Sequence, residues 1–130
     1  MKTAETDVVR KIYEALNKND IQQYLEFLDP QIERNEFDQA NFRGHKEMAE
    51  NLSKGRDTWA EGSCTPERFY VSGEKVVAAV HVHVRLKNET KWIDGRIADA
   101  FTIRNGLATE FHSFMTLEKA LAWAGIKDQS

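Results

Sequence analysis

The apolar residues change their spacing partway along the chain, from the period of a helix to the period of a strand. In the first half, a stripe at helical spacing predicts a first helix that closes at Asp20. Asp20 then predicts a cap for a second helix, which ends at Asp29-Pro30 because the residue before a proline resists the helical region. From Val76 to Arg85, valine or alanine occupies every second position, which is the spacing of a strand. Helices followed by a run of strands predict an α+β domain.

A third helix is predicted from His45 to Ala60. Met48, Leu52 and Trp59 would share one face of this helix, at the spacing of residues that pack against a core. Gly62 follows them and predicts its C-terminal end. Trp59 is therefore expected on a helix, where it either packs in the core or forms a wall of a pocket.

Several shorter segments carry weaker strand and turn signals. Residues 31–37 alternate loosely and predict a short strand, and residues 42–44 predict a turn. Residues 68–71 are strand-like, residues 91–104 predict a long strand, and residues 107–115 predict a strand that returns beside it. The second half therefore reads as an antiparallel meander.

The turns near the C-terminus are specified by single residues. Asn105-Gly106 predicts a type I′ hairpin, because both central residues of that turn need positive φ. Thr116 predicts the N-terminal cap of a last helix, Leu117 to Ala124, and Gly125 predicts its C-terminal end.

Composition limits the size of the fold and the class of partner. The chain has 130 residues, 41% of them hydrophobic, which is enough for one core but not two, so we expect a single domain over 1–130 with its core at about 8–125. The net charge of -3 argues against nucleic acid or an anionic membrane as a partner. Apolar runs are far shorter than the ~20 residues that a spanning helix needs. The lone Cys64 and the polar first residues lead us to expect a cytoplasmic protein without a disulfide or a multi-cysteine metal site.

Five short motifs carry a resemblance to a known superfamily. They are Tyr-Glu-Ala-Leu at 13–16 with the segment up to Asp20, Leu-Asp-Pro at 28–30, Phe-Arg-Gly-His at 42–45, Phe-Thr-Ile-Arg-Asn-Gly at 101–106 and Glu-Phe-His-Ser-Phe at 110–114. With the order of elements, they make the chain resemble the SnoaL-like group of the nuclear transport factor 2-like (ketosteroid isomerase-like) superfamily. The resemblance implies a cone-shaped, curved, mixed but mainly antiparallel sheet wrapped around N-terminal helices, a cystatin-like roll. The superfamily holds cyclases, isomerases, epoxide hydrolases and dehydratases beside non-catalytic carriers, so the fold does not choose the function.

The resemblance also assigns positions to the three groups that ketosteroid isomerase uses. Asp99 falls on the aspartate of the oxyanion hole, and the tyrosine position falls one residue before Tyr13. The position of the base falls on Asn35, which cannot take up a proton at neutral pH, so steroid-isomerase chemistry is not expected. Glu33 and Glu36 flank Asn35, and either replaces it only if the strand register differs from this alignment.

Asp99 is the sharpest single candidate for chemistry. It shares a strand face with Ile97 and Phe101, which is expected to be the concave, apolar face. A carboxyl group there loses hydration, which raises its pKa and suits it to act as a general acid or a hydrogen-bond donor. The alternatives are an outward-facing Asp99 paired with Arg96 or Arg104, or an inner one held by a backbone amide.

The expected pocket lies on the concave side of the sheet. Ser113 would be a small polar contact within it, and Tyr13 is either a pocket group or simple core. The predicted apolar lining is Tyr13, Phe37, Trp59, Val82, Val84, Phe101, Phe111 and Met115.

Two histidines share the other face of the same strand. His81 and His83 are two residues apart, a spacing that can present two imidazoles to a metal. A third ligand would be needed, and His112 is the histidine candidate for it elsewhere in the sheet. Because the alignment gives the concave face to the valines, we interpret the pair as part of a convex dimer interface or a solvated surface, and we expect no metal site.

Three functions are compatible with these residues. The first is a cofactor-free enzyme of isomerase, cyclase, dehydratase or hydrolase type. Asp99 would act as its acid or base on a small apolar or polyketide-like molecule, with Tyr13 or Asn35 orienting the substrate or water. The second is a non-catalytic protein that binds such a molecule in the same pocket. The third is a homodimeric interaction module that acts through its convex face.

Overall fold

A computed structural model of the chain describes residues 4–127. Within them lie four helices and six strands. In chain order they are α1 (Ala4–Lys18), α2 (Ile21–Glu26), β1 (Leu28–Glu36), β2 (Ala40–Arg43), α3 (Gly44–Asp57), β3 (Trp59–Ser72), β4 (Lys75–Leu86), β5 (Ile93–Arg104), β6 (Leu107–Phe114) and α4 (Leu117–Ala124). No helix in this range is long and apolar enough to cross a membrane.

The six strands form one sheet in the order β2-β1-β6-β5-β4-β3. β1 and β6 run parallel, and the other neighbours are antiparallel, so the sheet is mixed. The sheet is curved and open, and helices pack on it. This architecture confirms the predicted α+β fold with a curved mixed sheet around N-terminal helices.

The two faces of the sheet are covered by different helices. We call the face under α1 the concave face, where Ile12 and Tyr13 pack in one core cluster with Val76 and Phe101. The convex face carries a smaller cluster, in which α4 packs against Val77, Ala98 and Ala100 of β4 and β5. Because side chains alternate along each strand, residues two apart on β4, β5 and β6 share a face.

The caps and turns that single residues specify were predicted correctly. The Asp20 side chain accepts a hydrogen bond from the Gln23 backbone N–H at 3.1 Å and caps α2. Asn105 and Gly106 both have positive φ, 53° and 78°, as a type I′ turn requires. The predicted last helix, Leu117–Ala124, matches α4.

The predicted extent of the third helix is wrong. α3 ends at Asp57, and Trp59 begins β3 instead of completing a helical stripe. Gly62 does not end a helix either, because it lies inside β3 with a φ of +124°. A Cβ at Gly62 would lie 2.2 Å from the His83 carbonyl oxygen, so glycine there permits the close approach of β3 and β4. Pairing along the whole of β4 holds this segment as a strand, which a local helical pattern cannot anticipate.

β1 and β2, at the other edge of the sheet from β3, also differ from the predicted strands. β1 begins at Leu28, earlier than the predicted strand over residues 31–37. The segment expected to be only a turn contains β2, which pairs with Glu33–Glu36 of β1. β2 is four residues long, too short to show a periodic pattern.

Candidate functional site

A cavity of about 430 Å³ opens beside α3, between β1 and the start of β3. Its walls combine an apolar set with several charged and polar side chains. The apolar and aromatic residues are Leu16, Tyr24, Leu52, Trp59 and Phe111, and the others are Arg34, Glu36, Asn51, Lys54, Gly55, Arg56 and Cys64. The cavity therefore suits a small molecule with a largely apolar body and a polar group.

Arg34 is a charged group of this cavity that several contacts hold in place. Its guanidinium lies 3.9 Å above the centre of the Phe111 ring, a cation–π arrangement. Nη1 donates to Ser113 Oγ at 3.0 Å, and Nη2 donates to Glu36 Oε2 at 3.3 Å. Since the side chain is only 10% exposed, the cation is fixed in the cavity wall.

One donor of Arg34 remains without a partner. Its Nε is buried and makes no hydrogen bond to any residue in the described range 4–127. A buried unpaired donor costs free energy and is uncommon in native structures. Lys54 and Arg56 add positive charge to the same lining, against the negative charge of Glu36. An excess of positive charge favours a ligand that carries an anionic or strongly polar oxygen.

Asp99 is buried directly behind this wall. It is 3% exposed, and its Oδ1 accepts a hydrogen bond from Ser113 Oγ at 2.6 Å. Its Oδ2 accepts a hydrogen bond from the Tyr13 hydroxyl. Burial raises the pKa of Asp99 above its usual value, although the Arg34 charge and the two hydrogen bonds act in the opposite direction. Burial also raises the pKa of Tyr13 well above its usual value, and the Asp99 charge adds to this effect, so Tyr13 stays protonated and remains a donor.

A continuous set of hydrogen bonds links Asp99 to the cavity. It runs from Tyr13 through Asp99, Ser113 and Arg34 to Glu36, and we call these five residues the Asp99 network. Strand register explains the arrangement, because β6 places Ser113 opposite Asp99 on one side and opposite Glu36 on the other. The network therefore joins two carboxylates through a hydroxyl and a guanidinium.

Glu36 is the acidic end of the network that reaches the cavity. Its Oε2 also accepts a hydrogen bond from Asn51 Nδ2 at 3.4 Å, and its side chain is 35% exposed. Asp99, by contrast, is not among the cavity-lining residues. Of the two carboxylates, Glu36 is the one that a ligand can touch directly.

Some of the predicted pocket residues lie where a ligand could meet them. Trp59 and Phe111 line the cavity. Val84 and Phe101 lie on the concave side but are buried in the core, where Phe101 stacks on Phe111 at 4.5 Å between ring centres. Val82 is partly buried against the same core.

Three other predicted residues, by contrast, do not line this cavity. Asn35 donates to Asn41 Oδ1 at 2.8 Å and faces the opposite side of β1 from Arg34 and Glu36. Phe37 follows β1 in a turn with a φ of +54°, outside the cavity lining. Met115 lies just after β6 and is 63% exposed, so it is a surface residue and not a wall.

The sequence patterns assigned no role to Arg34 or to Asn51. The sequence did contain a signal for Arg34. Alternation along a strand puts Arg34 and Glu36 on the same face as the apolar Ile32, and the structure shows Ile32 fully buried. The same parity favours Glu36 over Asn35 at the base position suggested by the alignment. Asn51 precedes the buried Leu52 on α3 and carried no comparable signal.

Sequence comparison supports one family. The model of the SnoaL-like domain matches residues 9–111, most of the chain. No curated protein matches the chain.

Solved structures with the same fold include proteins with and without an assigned activity. An NTF2-like protein of unknown function from Burkholderia pseudomallei is 21% identical, with a TM-score of 0.79 over 93% of this chain and 97% of that one. A proposed SnoaL-like polyketide cyclase from Shewanella denitrificans is 16% identical, with a TM-score of 0.75 over 93% and 96%. An LEH-like epoxide hydrolase from M. tuberculosis is 13% identical, with a TM-score of 0.75 over 92% and 87%. At these identities the likeness concerns the fold, and activity must be argued from the cavity.

Proposed function

The chain belongs to the SnoaL-like domain family, and we propose that its cavity binds a small, largely apolar, polyketide-like molecule and moves a proton on it without a cofactor. The observation that carries this proposal is the Arg34 guanidinium, held in the cavity wall between Ser113 and Glu36 with one donor unpaired. Nε itself is shielded from the cavity, so a carbonyl, hydroxyl or epoxide oxygen of a ligand would be attracted by the positive charge that the guanidinium as a whole places in the wall.

Arg34 and Glu36 have complementary roles in such a reaction. A fixed cation beside a ligand oxygen stabilises the negative charge that develops there when a neighbouring C–H bond is broken. Glu36, at 3.3 Å from Arg34, would take up that proton as the general base. The electron pair of the C–H bond moves onto the oxygen as an enolate. Return of the proton from Glu36 to another carbon gives an isomer. Alternatively, the enolate carbon attacks a second carbonyl carbon of the same molecule; a C–C bond forms and closes a ring, the π bond of that carbonyl breaks, and the resulting alkoxide takes the proton from Glu36.

Asp99 acts one step away from the ligand in this proposal. Both of its carboxylate oxygens already accept hydrogen bonds, from Tyr13 and Ser113. Direct proton transfer to or from Asp99, as the sequence suggested, would require a ligand to displace one of these partners. We therefore assign Asp99 as a positioning residue that orients Arg34 through Ser113 and balances its charge.

Exchange of carbon-bound hydrogen tests the chemistry without knowledge of the natural substrate. A small bicyclic ketone such as 2-tetralone is incubated with the protein in D₂O, and loss of its α-proton signals is followed by NMR. We expect the wild-type protein to accelerate exchange and Glu36→Gln to lower the rate by about 10²–10⁴-fold, the usual contribution of a general base. Arg34→Met should also abolish the acceleration, whereas Asp99→Asn should retain part of it.

Glu33→Gln is the matched control for this experiment. Glu33 lies on the same strand, but it pairs with Arg43 at the surface and does not line the cavity. It should exchange the ketone at the wild-type rate. If Glu33→Gln and Glu36→Gln behave alike, the proposed base is wrong. If Asp99→Asn is the most damaging variant, the proton transfer belongs to Asp99.

A binder without turnover is the second candidate. It is favoured by the placement of Asn35 outside the cavity and of Asp99 behind two hydrogen-bond partners. In that case the ketone would shift the amide signals of cavity residues such as Leu52 and Trp59 in an NMR titration, with no catalysed exchange. Shifts together with Glu36-dependent exchange support the enzyme.

The homodimer expected from the resemblance remains a separate proposal. Trp92, which directly precedes β5, lies against His83 of the convex face and is 44% exposed, which is high for a residue of its size and apolarity. Burial of Trp92 against a second copy, through the convex face, would remove that surface from water. Light scattering after size exclusion tests it, and a monomeric mass at all accessible concentrations contradicts it.

A further inference from the structure

His81, His83 and Asp94 lie together on the convex face, on the other side of the sheet from the cavity. His81 and His83 are neighbours on one face of β4, with 5.8 Å between their ring centres. The register of β4 and β5 places Asp94 directly opposite His83. One ligand atom from each of the three lies within 4.8 Å of the others, and we call them the convex triad.

We propose that the convex triad binds a divalent transition-metal ion of the Zn²⁺ class. Two imidazole nitrogens and one carboxylate oxygen are a donor set that Zn²⁺, Co²⁺ and Ni²⁺ accept. A tetrahedral zinc ion with bonds of about 2.0–2.2 Å holds its ligand atoms about 3.4 Å apart. The ligand atoms of the triad lie within 4.8 Å of one another, and His83 and Asp94 are exposed, so binding would draw these side chains closer by rotation. Three protein ligands would leave a fourth position for water or another small ligand.

The sequence pattern did not indicate which residue would be the third ligand, and the structure identifies it as Asp94. His112, the histidine considered for that role, lies on β6, and its ring centre is 4.7 Å from that of Trp123. Asp94 is eleven residues beyond His83 in the chain. It reaches the site only because β4 and β5 pair in this register.

Groups around the triad match the surroundings of a metal ligand. The other ring nitrogen of His81, Nδ1, lies 3.9 Å from Glu67 Oε2. Glu67 is itself held by Arg96, whose Nε donates to it at 2.9 Å. A carboxylate that accepts a hydrogen bond from the far nitrogen of a ligating histidine fixes the ring and makes it a stronger donor. The present separation is too long for a hydrogen bond, so Glu67 would take this role once side-chain rotation shortens it. Trp92 contacts His83 edge-on at 4.5 Å and shields one side of that ring.

A direct contact between His81 Nε2 and Asp94 Oδ1 is the competing explanation for the cluster. A simple histidine–carboxylate pair does not require His83. A metal site requires all three residues, so the contribution of His83 separates the two explanations.

Calorimetric titration of the purified protein with ZnCl₂ in a non-chelating buffer tests the proposal. We expect one saturable Zn²⁺ per chain. His83→Ala and Asp94→Asn should each weaken binding by more than the 10–100-fold that loss of an outer-shell partner costs, and Glu67→Gln should fall within that smaller range. His112→Gln, a histidine of the same sheet outside the triad, should bind as the wild type does.

Tryptophan fluorescence gives a second readout that does not depend on heat. Cu²⁺ bound at the triad should quench Trp92 in a saturable manner, and Trp92→Phe should remove that part of the quenching. Circular dichroism of each variant checks its fold; the altered side chains are exposed or half-buried, so folding should be unaffected. No saturable binding, or equal affinity in the wild type and His83→Ala, would overturn the proposal.

Discussion

Replacing Tyr13 with Phe removes the hydroxyl that donates to Asp99 Oδ2 and changes little else. The ring of Tyr13 is 2% exposed and meets Phe101 edge-on at 6.1 Å between ring centres, contacts that phenylalanine keeps. The oxygen of Asp99 that loses this donor stays buried. The substitution therefore isolates the free energy of one hydrogen bond to a buried carboxyl group.

The expected loss is large enough to measure. A buried polar group left without its partner costs about 1–3 kcal/mol, and we take about 2 kcal/mol for Tyr13→Phe. Unfolding entropies near 2.1 cal/mol/K per residue give about 0.27 kcal/mol/K for 130 residues, so the Tm should fall by about 7 °C.

The loss should depend on pH in a defined direction. The pKa of Asp99 in the folded state is raised above its ordinary value of 3.8, chiefly by burial. The folded state therefore binds this proton more tightly than the unfolded state, and stability is lost as the pH rises from 3.8 through the raised pKa. The Tyr13 hydrogen bond lowers that pKa, so its removal extends the loss. The cost of Tyr13→Phe should be smallest where Asp99 is protonated and largest at neutral pH.

Urea unfolding followed by tryptophan fluorescence, from below pH 3.8 to neutrality, measures this cost. Tyr24→Phe is the matched control, because Tyr24 is 1% exposed but forms no hydrogen bond to Asp99 among the described residues. Its cost should be independent of pH over this range. A neutral-pH cost of Tyr13→Phe under about 0.5 kcal/mol, the size of an ordinary surface change, would refute the argument, as would the same pH dependence in both variants.

Three further substitutions or treatments test other parts of the structure. Gly62→Ala should cost at least about 2 kcal/mol in urea unfolding, because its φ is +124° and the new Cβ would meet the His83 carbonyl at 2.2 Å; a neutral effect would contradict the described pairing. Thr116→Ala should cost about 1 kcal/mol in the same assay, since the Thr116 side chain accepts from the Lys119 N–H at 3.2 Å, and Thr116→Ser should restore most of it. Burial raises the pKa of Cys64 from 9.0 to about 11, so iodoacetamide near neutral pH should alkylate it about 100-fold more slowly than a thiol of ordinary pKa, and a rate equal to that of a free thiol would show that the group is not buried.

The parts of the fold that the sequence predicted well are those that local chemistry determines. Thr116 and Gly125 bound α4 because a cap and a left-handed residue act within one helical turn. Asn105-Gly106 acts within one hairpin in the same way. Trp59 was misplaced because its conformation is decided by pairing with Leu86, which lies far along the chain.

The same distinction between local and long-range determinants applies to the residues of the candidate site. Asp99 was recognisable because a carboxyl group interrupts an apolar strand face, a pattern visible within five residues. Arg34 and Glu36 join it only through the parallel pairing of β1 with β6, which sets Arg34 opposite Phe111 and Glu36 opposite Ser113. An alignment to a distant enzyme drew attention to Asn35 instead, one residue out of phase with the face that Ile32 defines.

The Asp99 network does not contribute to stability in proportion to the number of its contacts. Burial raises the pKa of Asp99, so the ionised form opposes folding at neutral pH, and Arg34 carries a buried donor without a partner. Replacing buried charged groups of this kind with apolar side chains of similar volume is often neutral or stabilising for the folded protein. A group of charges that costs free energy and borders a cavity of about 430 Å³ is explained better by a ligand than by folding. A ligand that fits Arg34 and Glu36 should accordingly raise the unfolding temperature of the wild type and leave that of Arg34→Met unchanged.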